Sequence, residues 1–225
     1  INDYTKLFSV SNEGHSETIF DIEYSGAEGG SYGCMICLEG NAAPGFQGIR
    51  QYNGPVYGDG NSYNLPTKDL YDYFDANDPR RDASVLDIEA FIAKQSNPGD
   101  IEYAKGGGGH TGYYNNKYIK RQGEIGLPDN DLTSPVNYRV IRYADVLLMA
   151  AECYARAASA DEGKATQYLN LVRQRAGMPA INSSGQQLVE DIWKERRLEL
   201  SGVGWRFFDL VRTGQAEAEI DGFVK

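Results

Sequence analysis

Tyr138-Arg139-Val140-Ile141-Arg142-Tyr143-Ala144-Asp145-Val146-Leu147-Leu148-Met149-Ala150-Ala151-Glu152 is the stretch on which the fold turns. From Ala144, the residues Val146, Met149, Ala150, Cys153 and Ala157 recur at the spacing of one helix face. Asp145 falls in the first turn, where the helix dipole favours a negative charge. The apolar run 146–151 is the longest in the chain, far short of the ~20 residues a membrane-crossing helix needs.

Downstream, Ser159-Ala160-Asp161-Glu162 has the form of a capping box and predicts a second helix through Ala165, Leu169 and Val172. Gly177 followed by Pro179 is a stop signal. Ser184 with Gln187 opens a third helix carrying Val189, Ile192, Trp193 and Leu200. Gly202 and Gly204 break it, and residues 205–213 form a fourth, short helix ending at Gly214. Connections this short predict antiparallel helical hairpins.

Upstream of Asn137 the composition changes. Residues 1–137 hold 12 of the 16 Tyr and 19 of the 26 Gly. They also hold 20 acidic and 10 basic residues, so the whole net charge of −10 lies there, and residues 138–225 are neutral. The chain thus divides into a loop-rich contact region, 1–137, and a helical scaffold, 138–225. An acidic chain argues against nucleic acid as partner. Residues 19–24 predict a strand with Phe20, Ile22 and Tyr24 on one face and Asp21 and Glu23 on the other. Thr67 can cap a short helix carrying Leu70, Tyr71 and Phe74, which Asn77-Asp78-Pro79 ends. Tyr118-Ile119-Lys120 reads as extended. Segments 25–64 and 96–117 lack periodicity, and loops of that length are functional or lean on something else.

Catalytic and metal chemistry finds little support. Cys34 and Cys37 have redox-motif spacing but open no helix, and a zinc site would need His15 and His110 in Gly-rich surroundings. The structural alternative is a small local disulfide. Cys153 belongs to an apolar helix face. Gly106-Gly107-Gly108-Gly109 lacks the Lys-Ser/Thr ending of a phosphate loop. His110 has no nucleophile set beside it by a motif. Pro128-Asp129-Asn130-Asp131 could hold Ca²⁺ but lacks the glycine and final Glu of an EF-hand, so a solvated turn competes. Carboxylate pairs are too numerous to mark a glycosidase. No cofactor and no metal are expected. Arg196 projects near the packed face of its helix and needs a partner, which Asp209 offers.

The tyrosines remain. Phe46, Arg50, Tyr52, Asn53, Tyr57 and Tyr63 lie between Gly40 and Asn64 among further amides. An aromatic plane can lie on the C–H face of a sugar, while amides and a guanidinium hydrogen-bond hydroxyls. These six are the expected ligand residues, for a neutral polyhydroxylated ligand. The competing reading packs some of the rings under the loops.

The opening stretch closely resembles the signature of the SusD/RagB family. Residues 169–177, 195–200 and 205–214 are similar to its later blocks, in order, and the earlier pieces Ile19-Phe20, Asn64-Leu65-Pro66-Thr67 and Asp78-Pro79-Arg80-Arg81 also fit. The resemblance implies a mainly helical, SusD-like fold with tetratricopeptide-type hairpins, a long loop-rich region and minor β structure. It implies a non-enzymatic, lipid-anchored surface protein of the outer membrane in Bacteroidetes, capturing glycans for a SusC-like TonB-dependent transporter. Capture of oligopeptides by the same type of complex is the alternative, and a polysaccharide-degrading enzyme a further one. Members of the family are longer, so the chain resembles the C-terminal portion of one, and the membrane anchor belongs to the part not included.

Overall fold

The structure, a computed structural model, describes the chain except for residues 1–2, 27–30, 107–108, 125, 128 and 225, and leaves aside the side chains of 35, 223 and 224. Gly107 and Gly108 of the glycine run and Pro128 of the acidic turn therefore lie outside the described residues.

The fold is mainly helical. In chain order come β1 (Thr18–Ile22), α1 (Ala43–Gln47), β2 (Ile49–Arg50), β3 (Asp59–Gly60), α2 (Lys68–Tyr73), α3 (Arg80–Ser84), β4 (Val85–Asp87), α4 (Ile88–Ala93), β5 (Tyr113–Asn115) and β6 (Tyr138–Arg142). The helical end follows as α5 (Tyr143–Arg156), α6 (Glu162–Arg175), α7 (Gly185–Glu199), α8 (Arg206–Thr213) and α9 (Ala216–Val224). The strands form small pairs: β1 antiparallel to β6, β2 parallel to β3, and β4 antiparallel to β5.

The helices predicted from the sequence form, with two adjustments at their starts, and α5 buries Ala144, Leu147, Leu148 and Ala151 instead of the predicted face, on which Met149, Cys153 and Ala157 are exposed. Asp161, not Ser159, caps α6, its carboxylate accepting the Lys164 N–H at 3.0 Å. Ser184 is the N-cap residue of α7 without a side-chain capping bond; the Gly185 N–H is taken by Glu162 at 2.9 Å. Gly214, at φ 73°, caps α8 in the left-handed conformation that costs glycine no Cβ clash. Thr67 caps α2 as its sequence suggests. α5 and α6 make a tetratricopeptide-type hairpin on which α7 packs, around Leu148, Ala151, Ala165, Leu169, Leu188 and Ile192, all essentially inaccessible. Cys153 lies outside this core: it is exposed, at the edge of a 610 Å³ hollow between α5 and α8 lined by Met149, Trp205 and Phe208.

β1 departs from its expected facing. Phe20 and Ile22 are exposed, and the Asp21 carboxylate turns inward to within 3.9 Å of Arg139. Register shifts on both sides of Phe20 interrupt the alternation, so the period of two no longer fixes the face.

Between the loops and the hairpins lies a buried ionic centre. Glu199, at the end of α7, accepts from Arg142 at 2.7 Å, Arg175 at 2.6 Å and Arg80 at 3.2 Å. Arg80 also pairs with Asp78 at 2.7 Å and Glu195 at 2.5 Å, and Glu195 with Arg173 at 2.7 Å. Lys117 donates to the carbonyls of Glu199 and Ser201. Burial favours a neutral Glu199, but Arg175, Arg142, Arg80 and Lys117 outweigh it and hold the carboxyl below the usual range. A second cluster joins Arg196 to Asp145 at 2.6 Å and Asp209 at 3.3 Å, then Arg212 to Asp209 and Glu152, both at 2.7 Å. The expected pairing of Arg196 with Asp209 is present and extends further than the sequence suggested.

Candidate functional site

The site begins with two glycines that admit close backbone approach. A Cβ on Gly60 would collide with Gly48 and the Gly45 carbonyl, and one on Gly45 with the backbone of Asp131. Because these contacts are open, α1, β2 and β3 nest together. Ile49 is wholly buried, and the next residue in the strand, Arg50, points outward.

The chain then turns sharply. Gln51 adopts φ 54°, and its N–H donates to the Asp59 carboxylate at 2.6 Å. After β3, the N–H groups of Asn61, Ser62 and Tyr63 reach back to the carbonyls of Gly45, Gly48 and Phe46. Ser62, at φ 57°, and Asn64, at φ 53°, flank Tyr63. Among the described residues, Gln51, Ser62 and Asn64 are the non-glycine positions with positive φ, and all three adjoin Arg50 or Tyr63. Strain gathered in one place marks a surface whose side-chain direction matters.

Its result is an exposed aromatic beside a cation. Tyr63 is 62% exposed, its ring tilted against Phe46 at 6.1 Å. Arg50 is exposed, and among the described residues its guanidinium has no ion-pair partner; the Arg50 backbone N–H donates to Ser62 Oγ at 3.0 Å. Arg50, Asn61, Ser62, Tyr63, Ala104, Gly106 and His110 line a cavity of 230 Å³. Ala104 is brought here by its hydrogen bond to the Arg50 carbonyl, while the His110 ring leans on Tyr103 at 5.6 Å.

The six expected ligand residues divide. Arg50 and Tyr63 share the cavity, and Phe46 is partly buried against Tyr63. Asn53 is exposed, its backbone paired with Glu102. Tyr52 and Tyr57 lie in the core beneath, 6% and 5% exposed, edge to face at 5.7 Å, with Tyr57 on Phe91 at 5.1 Å. Burial pushes the Tyr57 phenol up to about 12, against the opposing pull of Arg121. For these two rings the packing alternative describes what is seen. His110, Ala104 and Gly106 come from the segment beyond residue 96, where nothing in the sequence announced that the Asn53–Glu102 pairing would deliver them to the cavity.

The acidic turn is occupied by protein donors. Asp131 accepts from Lys120 at 2.9 Å and Asn61 at 3.2 Å, and Asp129 from the Tyr32 N–H at 3.0 Å. Among the described residues no group of three or more His, Cys, Asp or Glu could hold a metal ion. Cys34 and Cys37 form a disulfide.

Comparison with known proteins places these features. Residues 16–225 match the model of the SusD family. A SusD-like protein, P2, of Formosa agariphila is 31% identical, over 93% of this chain and 42% of its own length. A solved laminarin-binding SusD-like protein superposes with a TM-score of 0.85 at 35% identity, covering 99% of this chain and 47% of that one. Surface glycan-binding protein A from Bacteroides thetaiotaomicron, solved with laminarihexaose, gives 0.85 at 31% identity, over 96% of this chain and 46% of that one. The chain spans less than half the length of these relatives.

Proposed function

The chain belongs to the SusD family, and from that premise we propose that it is part of a cell-surface protein that captures a laminarin-type glycan and does not cleave it. The observation that carries the reading is Tyr63, held outward between two left-handed residues beside the exposed Arg50. A ring face suits the C–H side of a sugar, and a guanidinium fork suits its hydroxyls. Phe46 backs the Tyr63 ring and Asn53 supplies an amide nearby, while Tyr52 and Tyr57 shape the floor. The laminarin-binding and laminarihexaose-bound relatives, both above 30% identity, support this class of ligand.

In the intact protein the same reading gives a lipid-anchored partner of a SusC-like TonB-dependent transporter on the outer face of the outer membrane. Among the described residues no helix is long and apolar enough to cross a membrane. Titration calorimetry with laminarin and laminarihexaose is the test. Binding that Tyr63→Ala weakens, with no new reducing ends released, is expected; absence of binding, or hydrolysis, overturns the proposal.

A further inference from the structure

Tyr32 lies outside the segment in which the sequence concentrates its aromatic and amide residues, yet it is 56% exposed. It sits in a tight loop. The Cys34 N–H donates to the Ser31 carbonyl at 2.9 Å, the Gly33 N–H to Ser31 Oγ at 3.2 Å, and the Cys34–Cys37 disulfide closes the segment immediately after it. The loop is tied to the acidic turn by the bond from the Tyr32 N–H to Asp129. Two residues on, Asp131 accepts from Asn61, which stands two residues before Tyr63. Lys120, itself buried, fixes the other Asp131 oxygen. A continuous set of contacts thus runs from the Tyr32 loop to the Tyr63 turn. Desolvation first, then the charges of Asp131 and Asp129, raise the Tyr32 phenol, in keeping with its place beside the acidic turn.

An exposed aromatic costs a soluble protein little, but one locked by a disulfide, a bridge and a carboxylate has been given a direction. Tyr63 borders the Arg50–His110 cavity, and Tyr32 stands on the side of the acidic turn. We propose that Tyr32 is a second sugar-stacking position, receiving a further unit of the same neutral oligosaccharide that Tyr63 engages, and that the Cys34–Cys37 disulfide holds it in place. This rests on the glycan-binding reading above and extends it from one ring to two. A preformed pair of rings on separate loops selects for chain length: a short oligosaccharide reaches one ring and a longer one both.

The experiment measures affinity of the intact protein for laminaribiose and laminarihexaose. Tyr32→Ala is expected to weaken laminarihexaose roughly fivefold to tenfold, the loss of one ring face, and to leave laminaribiose unchanged. Tyr63→Ala weakens both. Tyr32→Phe keeps the hexasaccharide affinity, and the double change Cys34→Ser with Cys37→Ser reproduces the Tyr32→Ala loss with the main melting transition retained. Unchanged laminarihexaose affinity in Tyr32→Ala, alongside a loss in Tyr63→Ala, overturns the second position while sparing the glycan-binding reading. No affinity in the unaltered protein overturns that reading and this inference with it.

Discussion

Arg142 donates to Glu199 across 2.7 Å, and neither side chain is more than 2% exposed. Arg142 immediately precedes α5 and Glu199 is the last residue of α7, so the pair closes the run of three helices. Removing one partner of such a pair leaves the other charged and dry, which costs more than the pair itself contributes. Glu199→Gln withdraws the negative charge that Arg142, Arg175 and Arg80 share, and is expected to destabilise the fold by about 3–5 kcal/mol. Denaturant unfolding measures it, and an unchanged midpoint would show that the centre contributes nothing net.

Glu152 gives the pH dependence. Burial alone would raise its carboxyl, but hydrogen bonds from Arg212 and Arg156 outweigh it and bring the value to about 2, from an ordinary 4.5. A depressed carboxylate stabilises the fold above its unfolded value and loses that contribution as pH falls through the folded one. Thermal stability should therefore decline as pH drops from about 4.5 towards about 2, and Glu152→Gln should flatten this part of the profile. A variant with the same acid slope as the parent refutes the assignment.

Asp209 joins α8 to α7 through Arg196 and accepts from Arg212 on its own helix. Asp209→Ala leaves Arg196 with Asp145 alone and should cost about 2 kcal/mol. Glycan affinity should not change, because this cluster lies among α5, α7 and α8, on elements that do not line the Arg50–Tyr63 cavity. Weakened binding with unchanged melting would contradict the scaffold role.

Tyr57 and Tyr63 should separate stability from binding. Tyr57→Ala empties a core position between Tyr52 and Phe91 and is expected to cost about 3–5 kcal/mol. Tyr63→Ala removes an exposed ring, should leave the melting temperature almost unaltered, and should lower glycan affinity about tenfold. Parallel melting curves and titrations on both variants decide it; equal effects on both measures would erase the distinction.

Gly60→Ala probes the support beneath the cavity. Its new methyl meets the backbone of Gly48 and Gly45, which cannot swing aside as a side chain can. A cost of about 1–3 kcal/mol is expected, with weaker glycan binding as the Arg50 and Tyr63 turns shift. Full affinity in this variant would mean that the nested glycines do not set the ring's position.

The helical part was legible because its signals are local. The periodicity of residues 146–157, the stop at Gly177 and Pro179, and Gly214 after α8 need no knowledge of the rest of the chain. The direction of the loop tyrosines was not. Tyr52, Tyr57 and Tyr63 share composition and surroundings, and only the positive φ at Ser62 and Asn64 and the floor formed by Leu86, Ile88 and Tyr114 turn Tyr63 out and the others in. Phe20 and Ile22 fail for a related reason, since an irregular register removes the alternation on which their facing depended. Glu199 was readable as a charge on a helix, not as the meeting point of cations distant in sequence. His110 and Ala104 reach the cavity through pairings that leave no mark in the sequence.

The ionic centre also sets an order of events. Arg80, Arg142 and Arg175 all precede Glu199 in the chain, so during synthesis three guanidinium groups emerge before the carboxylate that joins them. Until the end of α7 is made, Arg80 has Asp78, and Arg142 and Arg175 have Glu17, but the carboxylate common to all three is missing. The last turn of α7 therefore supplies the contact that completes the centre and ties the loop-rich and helical segments into one interior.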